Sequence, residues 1–578
     1  MEQRSKDKYA DRFWKKKWDP GIEDLDPSEF NTTYPDMIKP TFQDYANEIA
    51  YAYLGVEHSF KELDEFSNQF ANMLIKNGFK KGDAIGINLP NTPEFLIAVI
   101  GTLKAGCIVS GVSPLLSAVQ IQYQLNDLGA NGNKKVGLIT LDAIFEGHIT
   151  KIVDRCPDLH LIITTSVAGF LPKWKQVLGK LVGKVPKGKV MPLSGKTVLE
   201  FHKDIIPHFS KDAVNIQISP DDVGWIMYTG GTTGPPKGAM LTHRNCAHNI
   251  KAIIRWLGWE KGEGVLCSGF PMFHIAGLTV CEASVFSGWT QIVIPNPRDT
   301  DHIIDEMEKY YPTNLVNVPS LYQMLIKNPR FRDLDHSDLG TCISAASPFP
   351  KESQVELERI IGEGKLLELY GMTETSPVST MNPSIGPKKL GTVGMPFLNV
   401  ECKIADPETG EPVPLGEAGE ILIKGPLVMK GYYNKSEETE KAIDSKGFMH
   451  TGDVGIMDDE GYIRIVDRTK DMIIVGGYKV FSSKVEDGLS KHPAIDMVAL
   501  VGIPNPDRPG SEIVRAYIQL NPDYSQKSEQ ELKEEILEFA HDKLSPYEIP
   551  KQFEFTSEIP LTAVGKIDKK VLRKEARE

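Results

Sequence analysis

Two kinds of apolar pattern alternate over the first two-thirds of the chain, and this alternation constrains the fold more than any other feature. LDEFSNQFANMLIKNGF (63–79) carries apolar residues at helical spacing and stops at Gly78. DAIGINLP (83–90) follows as a strand closed by proline. VGLIT, LHLIITT, GVLCSGF, TQIVIPN and TNLVNVPS repeat the strand pattern. Strands separated by helices predict parallel sheets covered by helices, because a parallel connection needs a crossover long enough to hold one. FLIAVIGTL (95–103) is too short to span a bilayer and predicts a buried helix.

After residue 400 the texture changes. ECKIADPETGEPVPLGEAGEILIKGPLVMKGYY is rich in Gly and Pro and reads as a small antiparallel, β-barrel-like unit with tight turns. From Asp471 the pattern is α+β again. In EQELKEEILEFAHDKL (529–544), Leu532, Ile536, Ala540 and Leu544 share one helical face. The fold class expected is therefore α/β with a boundary near Arg468–Asp471: a large N-terminal domain over 1–469 and a smaller α+β domain over 470–578. A chain of 578 residues exceeds what one core holds.

The formal net charge of −13 argues against nucleic acid as a partner, since phosphate contacts need clustered Lys and Arg. The seven cysteines are scattered without metal-ligand spacing, which suits a reducing cytoplasm. The N-terminus, MEQRSKDKYADRFWKKKWD, has no apolar segment of the kind a signal peptide needs. One region departs from this acidic background. From Leu159 to Leu199 there is no acidic residue, and Lys173, Lys175, Lys180, Lys184, Lys187, Lys189 and Lys196 interleave with Phe170, Leu171, Trp174, Val177, Leu178, Leu181 and Val182. A basic amphipathic stretch of this kind predicts peripheral contact with an anionic membrane through 166–196. The competing reading is a solvated excursion whose lysines serve solubility.

YTGGTTGPPKGAMLTHRN (228–245) has the composition of a phosphate grip. It fails the P-loop pattern, because Lys237 lies between Pro236 and Gly238, and it fails GxGxxG, because Gly230 and Gly231 are adjacent. What remains is a flexible turn with hydroxyls at Thr229, Thr232 and Thr233 and a cation at Lys237. Glycines let backbone N–H groups approach an anion, and hydroxyls add donors. LTHRNCAHNIKAIIRWLGW reads as a helix whose N-terminal dipole faces the same anion. The residues alone give a polyphosphate site of unassigned class.

This stretch resembles the phosphate loop of the adenylate-forming superfamily, which comprises acyl- and aryl-CoA synthetases, firefly-type luciferases and peptide-synthetase adenylation domains. FPMFHIAG (270–277), YGMTETSP (370–377), HTGDVG (450–455), DRTKDMIIVGGYKVFSSKVE (467–486) and PLTAVGKIDKKVLR (560–573) resemble the family's further motifs in the family's order. The resemblance implies a reaction in two halves. A carboxylate attacks the α-phosphate of ATP, and the thiol of CoA then displaces AMP.

The implied roles follow residue by residue. Thr229, Gly230, Gly231, Thr232, Thr233, Gly234 and Lys237 hold the β- and γ-phosphates. Thr373 touches the α-phosphate, and Glu374 carries Mg²⁺. Ser347, Tyr370 and Gly371 border the adenine, and Asp453 accepts the ribose hydroxyls beside Arg468. Lys566 neutralises charge in adenylation, Lys470 is the hinge, and Val475, Gly476, Gly477 and Tyr478 face CoA. His274 gates the acyl and CoA tunnels, with Ala276 and Leu369 in the acyl pocket. Ala345 and Ala346 stand where many relatives have glycine, a change the small side chains should tolerate. Val564 replaces a common Ser or Thr.

The basic excursion and the aromatic-basic DRFWKKKW resemble bacterial long-chain fatty acyl-CoA ligases, which favours a medium- or long-chain fatty acid. Leu369, where many fatty-acid relatives have glycine, favours a short, branched or aromatic acid instead. A non-catalytic nucleotide-binding relative is the remaining alternative, and intact Lys237, Glu374, Asp453 and Lys566 oppose it. ATP and CoA are the implied co-substrates.

Overall fold

A computed structural model describes residues 9–576 except 131–133, 182, 184, 230–234, 477, 509, 510, 525 and 562–566. Gly230, Gly231, Thr232, Thr233, Gly234, Gly477 and Lys566, all expected in the site, lie outside the described residues.

The predicted alternation is realised in two large mixed sheets. The first has nine strands. Its centre is six parallel strands in the order Leu366–Gly371, Thr341–Ser344, Asn314–Asn317, Val265–Ser268, Thr290–Val293 and Ile49–Tyr53. Val378–Met381 and Met395–Pro396 extend one edge antiparallel, and Val56–Ser59 extends the other. The second sheet has eight strands, again with six parallel ones: Val223–Thr229, Ile108–Gly111, Ala84–Asn88, Val136–Leu141, Leu159–Thr165 and Thr197–Glu200.

The helices form where the sequence places them. Phe60–Lys76 starts in a capping box, with the Ser59 hydroxyl accepting from the Glu62 N–H and the Glu62 carboxylate answering the Ser59 N–H. It stops before Gly78, which takes the left-handed φ of 76°. Pro93–Lys104 is apolar all round and buried along its length except at Lys104. Gly101 there lies so close to the neighbouring helix that a Cβ would sit 2.7 Å from the Ser67 carbonyl oxygen.

The unit after residue 400 is a four-stranded antiparallel sheet of Glu401–Ala405, Ala418–Lys424, Met449–Met457 and Ile463–Arg468. Beyond it, a hairpin of Ile473–Val475 and Tyr478–Val480 leads to a three-stranded sheet carrying the helices Ser482–Leu489, Glu529–Lys543 and Lys569–Glu575. The hydrophobic core changes over here. Ile463 and Ile465 pack with the large N-terminal core, whereas Ile473 and Val480 pack in a separate cluster with Val485, Leu500 and Ile536.

The aromatic-basic N-terminus is part of the large core. Trp14 is fully buried, Trp18 meets Trp256 edge-on, and Arg12 forms a bidentate pair with Asp24 at 2.6 and 2.9 Å. All seven cysteines are buried and none is bridged. Among the described residues no helix is long and apolar enough to cross a membrane.

Candidate active site

Both large sheets end their parallel strands at one place. Leu366–Gly371 and Thr341–Ser344 of the first sheet deliver Tyr370, Gly371 and Ser347 there, and Val223–Thr229 of the second delivers Thr229. The carboxyl ends of the sheets also touch. A Cβ on Gly111 would lie 2.2 Å from the Phe273 carbonyl oxygen, and the Asn91 amide donates to the Phe270 carbonyl at 2.9 Å. The crevice beyond the carboxyl ends of parallel strands is where α/β folds bind ligands.

Asp453 organises one end of this crevice. It stands opposite Arg468 in the antiparallel pair, so register alone brings carboxylate and guanidinium together, with Nε 2.8 Å from Oδ1. The Tyr370 hydroxyl donates to Oδ2 at 2.7 Å. Each carboxylate oxygen keeps a further lone pair, so both can still accept from a ligand. Burial, and then the Asp453 charge, push the Tyr370 phenol well above its ordinary range. Gly371 is required sterically, since a Cβ there would lie 1.8 Å from the Pro377 carbonyl oxygen.

The other end centres on Glu374, buried in the turn Thr373–Thr375 beside an equally buried Thr373. Its Oε1 accepts from the Tyr432 hydroxyl at 2.7 Å. Burial raises the Glu374 carboxyl, while the Tyr432 hydrogen bond and the charges of Lys237 and Arg468 pull it down. Lys237 Nζ sits 4.5 Å above the Tyr432 ring and pairs with Glu438 at 3.1 Å. The Tyr432 N–H donates to Thr439 Oγ1 at 2.8 Å, which ties the strand Gly431–Tyr432 to the helix Ser436–Ala442. Tyr432 and Glu438 were not among the expected residues. The only sequence signal is the KGYY run, where an aromatic pair follows a glycine.

A single hard carboxylate suits Mg²⁺ that arrives with a triphosphate and keeps most of its oxygen ligands from phosphate and water. Among the described residues no group of three or more His, Cys, Asp or Glu side chains forms an all-protein cage.

Two expectations change, and a third residue is placed. The helix His243–Leu257 forms, with a Thr242–Asn245 capping box, but its N-terminus lies at the opposite end of the strand pair from Thr229 and Lys237. Lys237–Thr242 is a strand antiparallel to Val223–Thr229, and its far end pairs Thr242 with Val223. Six residues of strand, about 20 Å, separate Lys237 from the helix dipole. His274, expected as the tunnel gate, is the exposed N-cap of Ile275–Ser287, its Nδ1 accepting the Ala276 N–H at 3.3 Å. Ala346 adopts φ 75°, so what this position asks for is left-handed backbone more than small size. An alanine there costs about 1–2 kcal/mol relative to glycine.

The remaining residues lie at the edges of this arrangement. Ala276 and Leu369 are half-buried against the large core. Thr229 ends its strand opposite Lys237. Lys470 is near Arg468, Arg573, Asp453 and Asp568. Burial and the two arginines bring its ammonium down to about 8. Gly476 has φ 63° and donates its N–H to Ser511 Oγ at 2.8 Å. Tyr478 is exposed and stacks on Tyr547 at 4.7 Å. Val475 ends the strand before them.

A family profile described as "AMP-binding enzyme" matches residues 39–433, and one described as "AMP-binding enzyme C-terminal domain" matches 484–566. A long-chain-fatty-acid–CoA ligase of Bacillus subtilis is 35% identical over 570 residues, covering 95% of each chain. One from Escherichia coli O6:H1 is 33% identical over 559 residues, covering 96% of each. Among solved structures, ATP-bound MatB from Rhodopseudomonas palustris matches with a TM-score of 0.78 at 26% identity, over 95% of this chain and 99% of that one. Two profiles in sequence and relatives matched from end to end place the chain in the AMP-binding enzyme family, the adenylate-forming enzymes.

Proposed function

We propose that the protein is an ATP-dependent, AMP-forming acid–thiol ligase that activates a medium- or long-chain fatty acid to its CoA thioester. The observation that carries this reading is the convergence of Lys237, Tyr370, Glu374, Asp453 and Arg468 on one crevice. It is supported by full-length similarity to two long-chain-fatty-acid–CoA ligases. The substrate carboxylate attacks the α-phosphorus of ATP, and the bond to the β-phosphate oxygen breaks to release pyrophosphate. The CoA thiol then adds to the acyl carbonyl carbon, AMP leaves, and one proton is released. The protein supplies no nucleophile, so its contribution is positioning and charge.

In this reading Asp453 accepts the ribose hydroxyls, held in place by Tyr370 and Arg468. Ser347 and Gly371 border the base, and Thr373 meets the α-phosphate. Lys237, Thr229 and the turn after Thr229 hold the leaving phosphates. Glu374 would hold Mg²⁺, which would supply neutralisation of phosphate charge. The division at 469/470 is supported by the change of core between Ile465 and Ile473. Rotation about Lys470 would exchange Lys566, for adenylation, with Val475–Tyr478, for CoA. His274, Ala276 and Leu369 border the acyl path.

A chain-length series on the purified enzyme, read by AMP or pyrophosphate release, tests the substrate class. Octanoate to palmitate should give the highest kcat/KM. A higher value for acetate or benzoate would assign Leu369 to a short or aromatic pocket and overturn the fatty-acid reading.

A further inference from the structure

Among the described residues, the segment read from sequence as a membrane contact contains one regular element, the helix Lys173–Leu181, and its amphipathicity is inverted relative to a normal surface helix. Trp174, Val177, Leu178 and Leu181 occupy positions i, i+3, i+4 and i+7, so they form one stripe. A surface helix ordinarily turns such a stripe inward. Here all four point to solvent, with Trp174 65%, Val177 58%, Leu178 52% and Leu181 75% exposed. The polar side is the side that is fastened. Gln176 donates to the carbonyls of Gly169 and Leu171 at 3.3 and 2.8 Å, and Lys175 Nζ donates to the Leu54 carbonyl at 3.3 Å. Gly179 lies under buried Val185, 2.7 Å from where its Cβ would be.

The stem before the helix is fixed as well. Phe170 sits in an aromatic cage, with ring centroids 4.6 Å from His202, 5.0 Å from His58 and 5.5 Å from Phe66. The helix is therefore a buttressed projection with its apolar face outward.

Charge identifies what covers that face. The segment's seven lysines and absence of acid stand against −20 for the rest of a chain whose total is −13. Tryptophan and aliphatic side chains flanked by lysines match an anionic bilayer interface, where rings and methyls enter the acyl boundary and ammonium groups reach the headgroups. A second copy of the chain would bring one lysine fringe against another. We infer that Lys173–Leu181 is a lipid-inserting helix that seats the protein on an anionic bilayer through Trp174, Val177, Leu178 and Leu181. This docking does not depend on which acid the active site takes.

The test uses a built-in probe. Of the seven tryptophans, Trp174 alone is exposed, and the other six are at most 8% exposed. The full-length protein should sediment with phosphatidylglycerol-containing vesicles at low salt and not with pure phosphatidylcholine. Lipids brominated on the acyl chains should quench a component of the emission that Trp174→Phe removes. Leu178→Glu with Leu181→Glu should lower the bound fraction roughly tenfold or more. Its kcat/KM with soluble octanoate should stay within about twofold, because the stripe lies outside the nucleotide crevice. Three results would overturn the inference: no sedimentation of the wild type with anionic vesicles, an unquenched Trp174, or wild-type binding by the double variant. Self-association that the double variant abolishes, without vesicle binding, would assign the face to a second copy instead. A ligase that rejects fatty acids yet binds vesicles would leave the docking intact and remove the substrate reading.

Discussion

At the end of the crevice proposed to bind ribose, Asp453 already receives the Tyr370 hydroxyl and the Arg468 guanidinium, and its two oxygens retain lone pairs for a ligand. At the end proposed to hold phosphate, Lys237 is engaged by Glu438 of the helix Ser436–Ala442. Glu374 meanwhile is held by Tyr432. The first arrangement gains a ligand without losing a contact. The second has to break an ion pair before its lysine can serve. One end is thus preorganised by sheet register, while the other is set by a helix that can let go.

The comparison would break most visibly at Asp453. Asp453→Ala removes the proposed acceptor for two ribose hydroxyls and strips Tyr370 and Arg468 of their partner. Hydrogen bonds to a charged group contribute about 1.5–3 kcal/mol each, so kcat/KM for ATP should fall roughly 10²- to 10³-fold. Steady-state kinetics with circular dichroism as a fold control checks this. A loss below tenfold would mean that the ribose end is not the rigid one.

Why some of this was legible in the sequence and some was not comes down to the range of the interactions. Asp453 and Arg468 sit in short motifs, and adjacent antiparallel strands convert that local order into a contact. The parallel strands were legible because β-branched runs between helical patterns leave few other topologies. Tyr432 and Glu438 were missed because their partners are 58 and 201 positions away, and no local pattern encodes such pairing. The helix at His243 was read correctly, but its direction was not. Apolar periodicity does not reveal that KGAMLT first carries the chain away as a strand. Trp14 and Trp18 show the same limit, for they are buried in the core while Lys15, Lys16 and Lys17 between them are exposed.

Tyr432→Phe sharpens the phosphate end. It deletes the hydroxyl on Glu374 and keeps the ring beneath Lys237. One charge-assisted hydrogen bond is lost, so kcat/KM for MgATP should drop about tenfold. Tyr432→Leu, which also removes the ring, should cost more. Equal losses would show that Lys237 gains nothing from the ring.

Lys470 ties the ribose end to pH. Its folded ammonium titrates at about 8, because of burial and then of Arg468 and Arg573, while the unfolded chain keeps the ordinary lysine value. Between those values the unfolded state binds the extra proton, so stability rises with pH through that window. Below about 8 both states are protonated and the penalty is complete. Lys470→Met should therefore be more stable than the wild type near neutral pH, on the order of 1 kcal/mol after solvent screening, with the gap closing toward pH 10. Denaturant melts across that range read the gap. A gap constant with pH would place its cause outside titration.

The smallest effect discriminates best, because its sign is unusual. Glu438 is exposed, and Lys237 draws its carboxylate below the usual range. If Glu438 stands in for a phosphate, ATP must displace it, and the pair opposes binding. Glu438→Gln keeps the shape and removes the charge, so KM for ATP should fall, by about two- to fivefold, the span that exposed ion pairs allow. The fall should shrink as salt screens the pair in the wild type. A rise in KM would mean that Glu438 orients Lys237 for the nucleotide, and the phosphate end would then be as preorganised as the ribose end.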